Sequence, residues 1–391
     1  MDSCRAEGRR ALERTGTAII GGGIVGCSIA YHLARHGDRD VTVIEREPFV
    51  GAGSTSKAAG GIRQQFSTRT NIALSALSVP RFRQLGDELG VPFTFHEAGY
   101  LFLATTPDRW QTLQDLQRLQ ASLGVPTRLL TPADVRDIAP PLRTDDLLGG
   151  SFCPTDGYGD PYQAVTGFAR RARDLGATVV TGCTVVGLTP VAGGWRVDSD
   201  GGPLAADRVV IAAGAHSGQI GRLAGVNIPV QPYRRQLYVT EPVPAIGRRL
   251  PMVVDESGVY FRSEAGGVLF GMTDPDEPSS FNTTVNDEWT PVVVERLVER
   301  MPLLATVGIR NSWAGLYEVT PDHHCILGAV PGHLGLYVAA GFSGHGFMQS
   351  PAAGQLMAEL LLDGQTSSLD ISPLALDRFT RGELLVEKAV I

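Results

Sequence analysis

Residues 17–26, TAIIGGGIVG, followed at residues 41–45 by VTVIE, decide the fold. Four residues of apolar strand run into Gly21, Gly23 and Gly26 at G-x-G-x-x-G spacing, and an amphipathic run to Arg35 predicts a helix that ends at Gly37. A second apolar strand then closes on Glu45. Gly21 permits a tight turn out of the strand, and Gly23 lets the backbone approach a pyrophosphate. Gly26 lets the helix pack closely on the strand. The helix start, with Ile24 and Val25, offers unpaired N–H groups and the positive end of a dipole to phosphates. Glu45, nineteen positions after Gly26, can accept hydrogen bonds from ribose hydroxyls, and Arg46 beside it belongs to the same binding set. Strand, turn, helix, second strand and acid in this order predict a dinucleotide-binding, doubly wound α/β domain.

Working outward, 391 residues suffice for two domains, and 43% hydrophobic residues can fill their cores. A formal net charge of −7 argues against nucleic-acid binding and against an anionic membrane surface. Cys4, Cys27, Cys153, Cys183 and Cys325 are scattered, with no C-x-x-C pair and no metal-ligand spacing. That pattern suits a reducing cytoplasm and predicts no metal. Cys325 follows His323 and His324, but adjacent side chains diverge, so a polar loop is the reading adopted. The first sixteen residues carry no apolar segment of the secretory or anchoring kind. No run approaches the ~18 apolar residues of a membrane span. Residues 1–15 are expected to be a flexible extension.

Further along, residues 160–175 predict a helix and 177–180 a strand; 184–188 and 195–197 predict a hairpin. Residues 206–214 predict a buried strand ending in a small-residue turn. Residues 336–340 predict another buried strand, which runs into the glycine-rich stretch 341–346 and a helix over 351–362. Between these lie strand patterns at 93–95, 100–103, 235–240 and 258–262, with a helix near 109–123. The expected organisation is interleaved: a nucleotide domain from residues 16–86, 151–227 and 318–391, and an antiparallel sheet-plus-helices substrate domain from 87–150 and 228–317.

Four stretches together carry a family resemblance: the N-terminal glycine unit; GAGSTSKAAGGIR at 51–63; DRVVIAAGAHS at 207–217; and GFSGHGFMQSP at 341–351. With these the chain resembles the FAD-dependent amine and amino-acid oxidoreductases of the D-amino-acid oxidase superfamily. The similar branch holds sarcosine oxidases, dimethylglycine dehydrogenases, glycine oxidases and proline dehydrogenase β-subunits. The resemblance runs from Thr17 to about Gly364 and implies FAD as cofactor. The residues themselves agree. Gly53, Gly60 and Gly61 leave room for backbone N–H groups to approach a flat ring system. Ser54, Thr55 and Ser56 add hydroxyls, with Lys57 and Ile62 in the same loop. The second glycine loop, Gly344, His345, Gly346, Phe347 and Met348, opens a helix whose positive end suits the N1–C2=O edge of an isoalloxazine. By resemblance Val185 would hold adenine through its backbone, and Ala213 and Gly214 would line the same cofactor.

The departures from the family are informative. Where dimethylglycine and sarcosine dehydrogenases carry Trp-His, with covalent flavin on the histidine, this chain has Ser56 and Lys57, which implies FAD held without a covalent bond. Two lysines of monomeric sarcosine oxidases, one above the flavin and one for the substrate carboxylate, correspond to Leu269 and Met348 here.

Flavin oxidation of an amine asks for a dry pocket, a neutral amine and a positioned C–H bond rather than an obligatory acid–base residue. Arg63 resembles the family's flavin-loop arginine and could grip a carboxylate. Tyr260 could present a hydroxyl to the substrate, and His345 is expected to bond flavin or backbone. Gln64, Gln65 and Phe66 are expected to shape the pocket. The expected activity is oxidation of the C–N bond of a small amino acid or secondary amine to an imine, with oxygen or a redox partner taking the electrons. A tailoring oxidase for a larger amine and a non-catalytic flavoprotein assembly factor are the alternatives.

Overall fold

The computed structural model describes residues 14–247 and 249–389. The expected N-terminal extension lies, through residue 13, outside the described residues. Its last two positions belong to the first strand, Arg14–Ile20. Arg14 pairs in register with Ala205 and bonds Asp207 at 2.5 Å, and the Thr15 hydroxyl donates to the Asp40 carbonyl at 3.1 Å. These partners lie far along the chain, so a local reading of hydropathy starts the strand too late.

Two eight-stranded sheets form the two layers of the molecule. The first has, in spatial order, Ile326–Ala329, Leu336–Ala340, Gly202–Ile211, Arg14–Ile20, Val41–Ile44 and Thr178–Val180. All neighbours are parallel except the first pair, which is antiparallel. The hairpin Val185–Val191 and Gly194–Ser199 adds to Gly202–Ile211 on the side branch. A parallel sheet needs cover on both faces. Helix Ile24–Arg35 supplies one, packed between Pro161–Asp174 and Gly346–Asp363. This helix is apolar nearly all round, and every residue from Ile24 to Ala34 is buried, as a helix flanked by two others must be. The opposite face is covered around Trp195, Val226, Ile228 and Leu376. The doubly wound α/β reading is therefore borne out.

The second sheet runs Ile309–Val319, Gln231–Thr240, Gly267–Gly271, Tyr260–Glu264, Met252–Val254, Tyr100–Ala104, Gly149–Cys153 and Arg128–Leu130. Its pairings are antiparallel apart from Met252–Val254 beside Tyr100–Ala104. Strand Gly149–Cys153 runs through the expected domain boundary at 150/151, and Ile309–Val319 runs two residues past the boundary at 317/318. The residue pattern marks where strands exist but not which sheet takes them. Residues 93–95, expected as a strand, are not one. Phe93 instead inserts its ring beside Phe82, centroids 5.9 Å apart, and only His96 bridges to Tyr158. Among the described residues no helix is long and apolar enough to cross a membrane.

Candidate active site

A cavity of about 880 Å³ lies between the carboxyl ends of the parallel strands and one face of the second sheet. Its upper end is built by the first glycine unit. The turn after Ile20 requires Gly21 at φ +113°, and a Cβ at Gly26 would overlap the Gly21 carbonyl. Both glycines therefore serve one close approach of strand and helix. The helix starts at Gly23 without a side-chain cap and without an acidic residue in its first turn. Its Ile24 N–H donates to the Thr55 hydroxyl at 3.1 Å, while Gly23, Ile24 and Val25 face the cavity. Glu45 accepts from the Gly22 N–H at 2.6 Å and from the Glu47 N–H at 2.8 Å, which fixes its carboxylate at the cavity wall. Arg46 lines the same wall and reaches the His216 Nε2 at 2.9 Å. Val185, Ala213 and Gly214 complete this end.

The lower end is formed by two loops. Gly53, Ser54, Thr55, Lys57, Gly60 and Gly61 approach from one side. Gly344, His345, Gly346, Phe347 and Met348 approach from the other, at the start of helix Gly346–Asp363. That helix also has no side-chain cap and no acid in its first turn. Two long helices thus direct unneutralised N-termini into one cavity. Ser56, Ile62 and Gly26 do not line it. The Ser56 hydroxyl turns to the Ala52 carbonyl at 3.5 Å, Ile62 is fully buried in the core, and Gly26 acts within the helix.

Arg63 is 1% exposed and borders the cavity. Its Nη1 donates to the Gln65 carbonyl, and its Nη2 donates to the Ala389 carbonyl at 2.6 Å and lies 3.4 Å from His345 Nε2. The Phe66 ring stacks 3.9 Å from its guanidinium carbon. His345 meets Phe66 edge-on at 4.8 Å, and burial together with Arg63 holds its pKa well below the ordinary histidine range. Its ring is therefore neutral at pH 7. Gln64 bonds Asp156 and Thr155, while Gln65 bonds the Tyr100 carbonyl and Ser151. These two glutamines fasten the loop to the second sheet.

The floor is the second sheet's inner face. Tyr260 is buried there, and its hydroxyl lies beside that of Tyr317. Burial, first of all, raises the pKa of both phenols, so both are protonated at pH 7. Leu237, Met252, Tyr100 and Arg235 also line the floor. Leu269, on the neighbouring strand, packs into the apolar cluster around Tyr100 and Tyr260.

Residues 17–360 match the family model described as FAD dependent oxidoreductase. The chain belongs to the FAD-dependent oxidoreductase family. It is 31% identical over 428 residues to FAD-dependent oxidoreductase domain-containing protein 1 of Xenopus laevis, covering 97% of this chain and 85% of that one. It is 30% identical over 401 residues to the mitochondrial dimethylglycine dehydrogenase of Rattus norvegicus, covering 96% of this chain but 46% of that protein. The crystal structure of L-proline dehydrogenase from P. horikoshii superposes with a TM-score of 0.90 at 35% identity, covering 95% of this chain and all of that one.

As an FAD-dependent oxidoreductase the protein is an enzyme, and its cavity fits the cofactor on its own chemistry. The Ile24 N–H, expected to be free, is taken by Thr55. The rest of the helix N-terminus, including the Val25 N–H, suits a pyrophosphate, the Glu45 carboxylate suits ribose hydroxyls, and glycine-lined walls at 53–61 and 344–346 admit a flat ring. Thr184 and Val186 join Val185 at the far end. Several residues of this oxidoreductase's cavity escape a sequence reading. Glu318 is held under the second glycine loop, accepting from the Gly341 N–H at 3.0 Å, and burial raises its pKa to about 7. Tyr317 and Arg235 carry no local motif at all. His324 and Cys325 are buried, His324 bonding Thr68 at 2.7 Å and the Asp322 carbonyl at 2.9 Å. Among the described residues no group of His, Cys, Asp and Glu is arranged to hold a metal.

Proposed function

We propose that this enzyme oxidises the C–N bond of a small amino acid or secondary amine to an imine. The observation that carries the reading is the convergence of two uncapped helix N-termini on a cavity floored by Tyr260, Tyr317, Tyr100, Leu237 and Met252. FAD, when bound, would supply the hydride acceptor for this oxidation, with oxygen or a partner as the final electron acceptor. The chain's own residues exclude water, orient the amine and present it with protonated phenols and a neutral imidazole. Tyr260 and Tyr317 remain protonated and offer hydroxyls, and neutral His345 adds no charge beside Arg63. Arg63 gives the pocket a positive potential suited to a substrate bearing an acidic group. The names of the similar proteins, an L-proline dehydrogenase and a dimethylglycine dehydrogenase, support an amino-acid or N-alkyl-glycine substrate class.

Lys57, whose Cβ packs against Gly315, offers no imidazole for a covalent link, and we infer FAD held without a covalent bond in a cytoplasmic protein. Acid precipitation should leave the flavin in the supernatant. The activity is tested by adding amino acids and secondary amines to the yellow protein without oxygen. Loss of the visible flavin band with one compound class supports the reading, and the rate of recolouring in air separates oxidase from dehydrogenase. A flavin that none of them bleaches would sink it.

A further inference from the structure

Arg234 and Arg235 are neighbours on strand Gln231–Thr240 and point to opposite faces of the second sheet. Arg234 is neutralised, its Nη2 bonding Glu277 at 2.7 Å and its Nε bonding the same oxygen at 3.1 Å. Arg235 turns to the cavity and has no ion pair with a carboxylate among the described residues. Its Nη1 donates to the Arg234 carbonyl at 2.8 Å, but its buried Nε has no partner. A buried guanidinium nitrogen left unpaired costs desolvation free energy that a bound polar group can return.

The sheet register sets which groups flank Arg235. Arg235 lies opposite Gly315, Tyr233 opposite Tyr317 and Leu237 opposite Trp313. Gly315 contributes no side chain and is covered by Lys57, while the Tyr260 hydroxyl leans over Gly271, 2.8 Å from where a Cβ would stand, which places it on the same face as Arg235. The Arg235 guanidinium lies 5.2 Å from the Tyr317 ring centre, beside the Tyr260–Tyr317 hydroxyl pair. Arg63 also has an unpartnered buried Nε, but both its terminal nitrogens already hold the Gln65 and Ala389 carbonyls, whereas only Nη1 of Arg235 is bonded.

We propose that Arg235, with the Tyr260–Tyr317 hydroxyl pair beside it, seats the carboxylate of the substrate, and that Arg63 positions the flavin-side loop and the C-terminal segment. The inference rests on the reading of the cavity as an amino-acid oxidation site. It makes the substrate a carboxylate-bearing amine rather than a simple alkylamine.

The test titrates the flavin-loaded protein with cyclopentanecarboxylate and acetate, which have no C–N bond to oxidise, and with neutral cyclopentanecarboxamide. Binding is read from the perturbed flavin spectrum and, separately, from the thermal midpoint. Arg235→Met should weaken both carboxylates about 100-fold while leaving the amide unchanged. Arg235→Lys should recover part of the loss, and Arg63→Met should keep carboxylate affinity near that of the wild type. Retained FAD and an unshifted ligand-free midpoint in Arg235→Met would show that its fold is intact. The proposal is overturned if Arg235→Met binds the carboxylates as the wild type does, if Arg63→Met loses them instead, or if the wild type binds neither. Anaerobic bleaching by amines, run on the same samples, reports on the oxidation reading independently of these affinities.

Discussion

Gly344 lies directly against the phenol ring of Tyr317, so that a Cβ at this position would overlap the ring, and its backbone sits at φ +91°. The contact joins the second glycine loop to the floor of the cavity. Gly344→Ala therefore meets both a steric and a conformational penalty, about 2–4 kcal/mol together. We expect a folded protein with a lowered thermal midpoint and a flavin-to-protein ratio well below one-to-one. Full flavin content at an unchanged midpoint would contradict the contact.

Glu318 predicts a pH dependence with a definite sign. Burial raises its pKa from 4.5 to about 7, opposed by the N–H groups of Gly341 and Phe342. Between those values the folded protein keeps a proton that the unfolded chain has lost. Its contribution to stability is therefore present below pH 4.5 and is lost as pH rises through 7, amounting to about 3 kcal/mol. In the flavin-free protein, Glu318→Gln should gain stability over the wild type as pH rises from 4.5 to 7. A difference between the two that stays flat in denaturant melts would refute this.

Asp322 and Arg378 form a pair with no solvent contact, bonded at 2.9 Å and 3.0 Å, and Arg378 also holds the carbonyls of Leu374 and His324. Arg378→Met would strand a buried carboxylate and cost about 3–5 kcal/mol. The double variant with Asp322→Asn should recover much of that loss in chemical denaturation. Equal losses in the single and double variants would show that the charge is not what matters.

Glu387 ties the C-terminal segment to the helix Arg69–Phe82. It accepts from the Ser67 N–H at 2.7 Å, the Thr68 hydroxyl at 3.0 Å, Asn71 at 3.1 Å and the Ala389 N–H at 2.9 Å. Glu387→Ala should release residues 384–389, seen as faster amide exchange there and at Ser67, with a loss of about 2 kcal/mol. Unaltered exchange would mean that Leu385 and Lys388 suffice to hold the segment.

Much of the nucleotide layer was legible in the chain because its signals are local. The strand, turn and helix around Gly21 to Gly26 occupy one short stretch, as do the loops that bear Gly53 to Gly61 and Gly344 to Met348. What escaped notice depends on partners distant in sequence. Arg14 is a strand residue only because Ala205 pairs with it, and Gly149–Cys153 joins the second sheet only because Tyr100–Ala104 takes it. Arg235 beside Arg234 looks like an ordinary surface pair until the pleat sends the two to opposite sides. Arg63 was found, but its hold on the Ala389 carbonyl, some 326 residues away, has no trace in local pattern.

The central parallel strands also set an order of events at the ribosome. Arg14–Ile20 is completed on one side by Gly202–Ile211, and that strand in turn by Leu336–Ala340, while helix Ile24–Arg35 waits for Gly346–Asp363 to cover it. The glycine unit is synthesised well before the strands and helix that complete it. Capture of the cofactor must then follow synthesis of Leu336–Ala340 and Gly346–Asp363, and nascent chains arrested before residue 336 should bind no flavin.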